Sequence, residues 1–215
     1  MNIKLKKLCC FQKRRGPLVF IVMDGIGVSA NTEGNAVVSA LTPNLNYLKK
    51  HYLNTTLKAH GTAVGLPSDD DMGNSEVGHN AFGAGRVFAQ GAKLVNRSIE
   101  TGQMFNGDTW KKLIANCRKN NSKLHFIGLF SDGNVHSHID HLKAMIKKAA
   151  EEEVTKIRIH ILLDGRDVGE TSALDYVLPF EKYLTEINEK YAVDCRIASG
   201  GGRMKVTMDR YEADW

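Results

Sequence analysis

Four times along the chain, a continuous apolar run of strand length ends in a glycine-containing polar cluster. PLVFIVM (17–23) runs into Asp24-Gly25, and LHFIGLF (124–130) into Ser131-Asp132-Gly133. IRIHILL (157–163) runs into Asp164-Gly165-Arg166-Asp167, and CRIA (195–198) into Ser199, three glycines and Arg203. Runs with little polar alternation suit strands covered on both faces. Helical patterns separate them. Thr42-Pro43 reads as a cap and first helical residue, Asp108 as the cap of TWKKLIANCRK, and Ser137 as the start of a helix through HIDHLKAMIKKAAEEE. SALDYVLPFEKYLTEINEKY (172–191) has helical spacing, with Pro179 expected to kink it. Strands alternating with helices predict an α/β fold with a mostly parallel sheet. In such sheets ligands bind beyond the carboxyl ends of the strands, so the polar clusters are expected to build a ligand site.

Composition narrows the function classes. Hydrophobic residues make up 42% and charged residues 25% of 215, as in a globular protein. The net charge of +5 would suggest nucleic acid, but residues 1–16 hold six Lys or Arg and no acid. Without that arm the charge is −1, so no nucleic-acid partner is expected. The arm lacks the apolar core of a secretory signal and reads as a disordered basic tail, with Cys9 and Cys10 as alternative lipid sites. No run approaches the ~20 apolar residues of a membrane span. Cys117 and Cys195 are far apart in sequence and outside any Cys-x-x-Cys pair, which predicts inert thiols in a reduced, cytoplasmic protein.

The stretch DDDMGNSEVGHNAFGAGR (69–86) is too polar and glycine-rich for a core element. Ser75 stands where a helix can begin, so it is either an ordinary N-cap or a hydroxyl held beside backbone N–H groups that favour an anion. As a nucleophile it needs an activator, and a divalent metal held by carboxylates would serve. Asp24, directly after an apolar run, is either a turn cap or a metal ligand. Asp69, Asp70 and Asp71 read as a solvated acidic loop. Arg166, Arg203 and Arg210 carry guanidinium forks suited to carboxylate or phosphate oxygens, and His136 and Asp167 can orient hydroxyls or move protons beside them. These residues suit a small, highly anionic substrate. His138 and His141 read as surface or packing histidines.

MDGIG, DMGNSEVGHNAFGAGR, SDGNVHSH, LDGRD and GGGRMKVTMDRY occur in that order. Together they resemble the cofactor-independent (2,3-bisphosphoglycerate-independent) phosphoglycerate mutases over essentially all of residues 17–215. The DDD before MGNSEVGH and the GGGRM form are similar to the plant and trypanosomatid branch. The resemblance implies an alkaline-phosphatase-like domain, begun here by residues 17–88, and an inserted α/β phosphotransferase domain, incomplete over 89–215. It implies interconversion of 3-phosphoglycerate and 2-phosphoglycerate through a phosphoserine at Ser75, in a monomeric enzyme. Two divalent metal ions are implied, usually manganese, with magnesium or cobalt as alternatives. By motif, Asp24 and Ser75 match metal ligands, and His136, Arg166, Asp167, Arg203 and Arg210 match the substrate-binding set.

Family members are more than twice this length, and the remaining metal ligands lie beyond the matched motifs. The expectation is therefore an N-terminal portion, inactive alone, with a complementing C-terminal chain as one possible partner. Two rivals stand beside it: another metal-dependent phosphatase or phosphotransferase of the same superfamily, and a non-catalytic protein that binds phosphorylated acids. The second pocket carried by SDGNVHSH and LDGRD argues against a plain phosphatase.

Overall fold

The computed structural model describes residues 9, 10, 12, 15–23 and 26–207. The chain divides into two units, residues 1–55 and 56–215. In the first, α1 (Ala36–Ser39) is capped by the Asn35 side chain, and α2 (Pro43–His51) opens on its proline. Thr42 occupies the cap position of α2 but makes no side-chain capping bond. The run 17–23 forms no strand, and Leu18 through Met23 are each at least half exposed. A strand persists only as a member of a ladder, and every ladder among the described residues lies in the second unit.

The second unit begins with a 3-10 turn (Gly61–Val64), followed by α3 (Ser75–Ala84), α4 (Gly91–Glu100), α5 (Gln103–Asn106) and α6 (Asp108–Asn120). Next come β1 (Leu124–Phe130), α7 (Ile139–Glu151), β2 (Lys156–Leu163), α8 (Ala173–Tyr191), β3 (Asp194–Gly202) and α9 (Arg203–Val206). The strands form a parallel sheet in the order β1-β2-β3, as the alternation of strands and helices requires. Crossovers through α7 and α8 bring all three carboxyl ends to one edge.

The core lies on one face of this sheet. Ile157, Ile159 and Ile161 of β2 pack with Ile146 and Ala149 of α7 and with Phe180 and Leu184 of α8. Phe130 meets Phe180 edge-to-face, with ring centroids 4.8 Å apart. The opposite face carries Arg158 and His160, and the His160 ring stacks on His125 of β1. The expectation of strands covered on both faces therefore fails for the described residues, because the arginine and histidine of IRIHILL share one face. Burial pushes the thiol pKa of Cys195 up to about 12, which makes it a poor nucleophile, and Cys117 is buried too.

Several boundaries differ from the sequence reading. β3 continues past CRIA through the glycines, with a register irregularity between Ile159 and His160. Gly200 pairs with Ile161, and a Cβ there would lie 2.9 Å from the Ile161 side chain, so glycine lets the strands approach. Gly107 rather than Asp108 caps α6, leaving the Asp108 carboxylate in the first turn, where the helix dipole favours it. His138 rather than Ser137 caps α7: its Nδ1 accepts from the Asp140 N–H at 3.1 Å. The Ser137 hydroxyl instead donates to the Leu129 carbonyl at 2.6 Å. α8 runs on through Pro179 to Tyr191. No helix of the described residues is long and apolar enough to cross a membrane.

Phe180 is fully buried and holds the sheet to α8 through Phe130. Phe180→Ala is expected to destabilise the second unit by about 3–5 kcal/mol. Denaturant unfolding followed by far-UV circular dichroism measures this as a lower midpoint at unchanged slope.

Candidate active site

One buried carboxylate gathers the three strand ends. Asp164, directly after β2, is only 5% exposed and needs compensating partners. Its Oδ2 accepts from the Ser131 hydroxyl, at the end of β1, at 2.5 Å. Its Oδ1 accepts from the backbone N–H of Arg166 at 3.2 Å and of Asp167 at 3.0 Å. Arg203, at the end of β3, donates Nη1 to the same oxygen at 2.9 Å. The same Nη1 also reaches Asp167 Oδ2 at 2.6 Å. Burial alone would raise the Asp164 pKa, but the bonds from Ser131, Asp167, Arg203 and Arg166 outweigh it and hold it below the usual carboxylate range.

The residues expected to grip the substrate are thereby drawn together. His136 Nε2 lies 4.0 Å from Asp167 Oδ2, which Arg203 also holds. Arg166 and Arg203 line a cavity of about 680 Å³ with Lys205, Tyr176, Leu163 and Val168. The Tyr176 hydroxyl donates to Asp132 Oδ1 at 2.6 Å, and that bond pushes its pKa up to about 12. Asp164 and Glu170 line the cavity as well, so it combines basic, acidic and apolar groups.

The serine loop is built separately. Asn74, not Ser75, caps α3: its side chain accepts from the Val77 N–H at 3.0 Å. Ser75 is thus the first helical residue, exposed, and among the described residues its hydroxyl makes no hydrogen bond. The N-cap reading of Ser75 is corrected, since the neighbouring asparagine already performs that task.

The preceding loop is more than a solvated acidic turn. Asp69 accepts from the Thr62 N–H at 3.0 Å and from the Thr62 hydroxyl at 2.5 Å. Asp71 accepts from the Ser68 N–H at 2.7 Å and is half-buried, whereas Asp69 and Asp70 stay exposed, as expected of a solvated loop. Adjacent carboxylates cannot all point one way, so the flanking two each turn to a local donor, Thr62 for Asp69 and Ser68 for Asp71. The Gly73 N–H donates to His60 Nδ1 at 2.9 Å. A Cβ on Gly73 would stand 1.9 Å from the Ala59 carbonyl oxygen, so only glycine fits there. Asn74 and Glu76, which flank Ser75, line a cavity of about 300 Å³ together with His136.

Asp24 and Arg210 lie outside the described residues, as does most of the basic arm. Among the described residues no group of three or more His, Cys, Asp or Glu side chains is assembled to hold a metal ion. They do not by themselves form a metal centre. His138 is a helix cap, and His141 contacts Asn96 Oδ1, with burial pushing its pKa down.

The family described as BPG-independent PGAM N-terminus (iPGM_N) matches residues 95–215. The chain belongs to this family. It is 58% identical over 215 residues to a probable 2,3-bisphosphoglycerate-independent phosphoglycerate mutase of Leptospira interrogans, covering 99% of this chain and 39% of that protein. It is 51% identical over 200 residues to 2,3-bisphosphoglycerate-independent phosphoglycerate mutase 1 of Arabidopsis thaliana, covering 92% of this chain and 35% of that one. A crystal structure of Leishmania mexicana phosphoglycerate mutase at low cobalt concentration superposes with a TM-score of 0.79 at 46% identity. That match covers 90% of this chain and 35% of the other. The chain thus spans 35–39% of the length of these relatives.

Within this family member, sequence reasoning passed over Ser131, Asp164, Asn134 and Asp71 as organising groups. A usable signal existed for Asp164. It follows an apolar strand directly, the same pattern that singled out Asp24, and a carboxylate so placed must be satisfied by something.

Because the folded-state pKa of Asp164 lies below its unfolded value of about 3.9, its contribution to stability is complete above that value and is lost as pH falls through the folded pKa. Acid titration of the unfolding midpoint is expected to show a steep loss below about pH 4. Asp164→Asn should be less stable at neutral pH and show a shallower acid limb.

Proposed function

We propose that this chain carries the nucleophile loop and part of the substrate pocket of a 2,3-bisphosphoglycerate-independent phosphoglycerate mutase. Its reaction interconverts 3-phosphoglycerate and 2-phosphoglycerate through a phosphoserine at Ser75. One observation carries the reading: Asn74 caps α3, which leaves the exposed Ser75 hydroxyl uncommitted beside unpaired N–H groups of the first helical turn. Such a terminus favours the negative charge of a phosphoryl group. Arg166 and Arg203 line the pocket that would hold the glycerate while phosphate leaves and returns, with Asp167 bound to Arg203 and His136 4.0 Å from Asp167 beside them. Arg210 joins this set by motif.

Divalent metal ions, manganese first, belong to the reading, with Ser75 and Asp24 among their ligands. When bound they would supply the positive charge that lowers the serine hydroxyl pKa. A boundary near residue 88, between phosphatase-like and transferase parts, is supported by a family match that begins at residue 95. Cytoplasmic residence fits the free, buried thiols of Cys117 and Cys195. A plain phosphatase is the second reading, but it needs no pocket for the dephosphorylated acid.

The test uses these 215 residues within a polypeptide of the relatives' full length. With 3-phosphoglycerate and manganese, the product should be 2-phosphoglycerate, whereas release of inorganic phosphate would mark a phosphatase. Ser75→Ala should abolish turnover, and mass spectrometry of trapped protein should place phosphate on Ser75. Retained turnover, or phosphate on another residue, would overturn the assignment.

Arg166→Lys keeps the charge but loses the planar fork that offers two parallel donors to one oxyanion group. It should impair turnover nearly as much as Arg166→Ala, as steady-state kinetics of the two variants will show.

A further inference from the structure

The loop before Ser75 and the turn before His136 meet at one hydrogen bond. Asn134 Nδ2 donates to Asp71 Oδ1 at 2.5 Å, between residues 63 positions apart in sequence. Asp71 is anchored on its own side: its Oδ2 accepts from the Ser68 N–H and hydroxyl at 2.7 and 3.0 Å, and its carbonyl accepts from the Gly61 N–H at 3.0 Å. Asn134 is anchored on the other. It follows Gly133, whose N–H donates to the Ser131 hydroxyl at 3.3 Å, and that hydroxyl in turn donates to Asp164. A continuous path of bonds therefore joins the serine loop to the carboxylate that organises the strand ends.

Asn134 adopts φ 55, the left-handed region that side chains other than Asn and Asp rarely enter. Glycine would fit that backbone without strain but would bring no donor, whereas asparagine supplies both. The residues beside the bond share a space, for Asn74, Glu76, Asn134 and His136 line the same cavity of about 300 Å³.

We propose that Asp71 and Asn134 are positioning residues: their bond fixes the loop that presents Ser75 against the turn that presents His136. The proposal rests on the mutase reading above and adds to it two residues that lie within the matched motifs but that the motif match gave no role. A charge-assisted bond is strong enough for this task, and catalysis is sensitive to such placement, an error of about 1 Å costing on the order of 100-fold in rate.

Three variants separate this bond from general loss of structure. Asn134→Gly removes the donor while keeping a residue suited to φ 55. Asn134→Asp sets one carboxylate against another. Asp71→Asn combined with Asn134→Asp restores a single amide-to-carboxylate bond with donor and acceptor exchanged. In the 215-residue chain, hydrogen exchange should quicken across residues 68–77 and 131–137 in both single variants and slow again in the double. In the full-length polypeptide, Asn134→Gly should lower kcat about 10- to 100-fold with KM for 3-phosphoglycerate nearly unchanged. The double variant should regain most of the kcat that Asn134→Asp loses. Unchanged exchange over 68–77 in Asn134→Gly, or a double variant no better than Asn134→Asp, would overturn the proposal. If the unsubstituted polypeptide shows no mutase turnover, the functional reading fails while the exchange experiment still decides whether the tie exists. If it turns over and Asn134→Gly matches its kcat, the positioning role alone fails.

Discussion

A carboxylate cannot sit buried at the end of a strand without partners, and most of the candidate site is arranged around meeting that demand. Asp164 draws the Ser131 hydroxyl from β1, two backbone N–H groups from its own turn and the Arg203 guanidinium from the end of β3. Removing any one of these partners leaves charge in a poorly solvated place. The same bonds that satisfy Asp164 set the backbone of the Arg166–Asp167 turn and the direction of Arg203. The pocket is thus held in shape by what stabilises the sheet edge.

The serine loop shows a different economy. A helix N-terminus carries more N–H groups than one cap can satisfy. Asn74 takes the Val77 N–H, and the remaining donors of the first turn stay with Ser75. The loop before them is held by Asp69, Asp71 and His60, each accepting from a nearby backbone N–H. The loop is held by these bonds while the Ser75 hydroxyl stays uncommitted, which the role proposed for it requires.

The legible parts of the chain were those whose pattern is local. LHFIGLF coincides with β1, IRIHILL falls one residue short of β2, and the helices α6, α7 and α8 lie where their apolar spacing put them. Caps were less legible, because Gly107, His138 and Asn74 compete with adjacent Asp108, Ser137 and Ser75 for the same position. Composition alone cannot rank such neighbours, since the winner depends on which side chain has another partner, as Ser137 has in Leu129. PLVFIVM read as clearly as β1 did, yet a strand is a property of a pair, and no ladder forms over it among the described residues.

By itself the sequence determined the parallel α/β plan, through apolar runs separated by helical spacing, and the set of residues able to bind an anion, through its Arg, His, Asp and Gly clusters. Five ordered motifs also made the family readable. Tertiary structure alone decided that Ser131, Asp164 and Arg203 share one network, that Asn134 reaches Asp71, and that only one face of the sheet carries the core. The division has a physical origin. Periodicity and turn chemistry act within a few residues of chain, whereas a buried charge is satisfied by whichever donors the fold brings to it, here from positions 33 and 39 residues away.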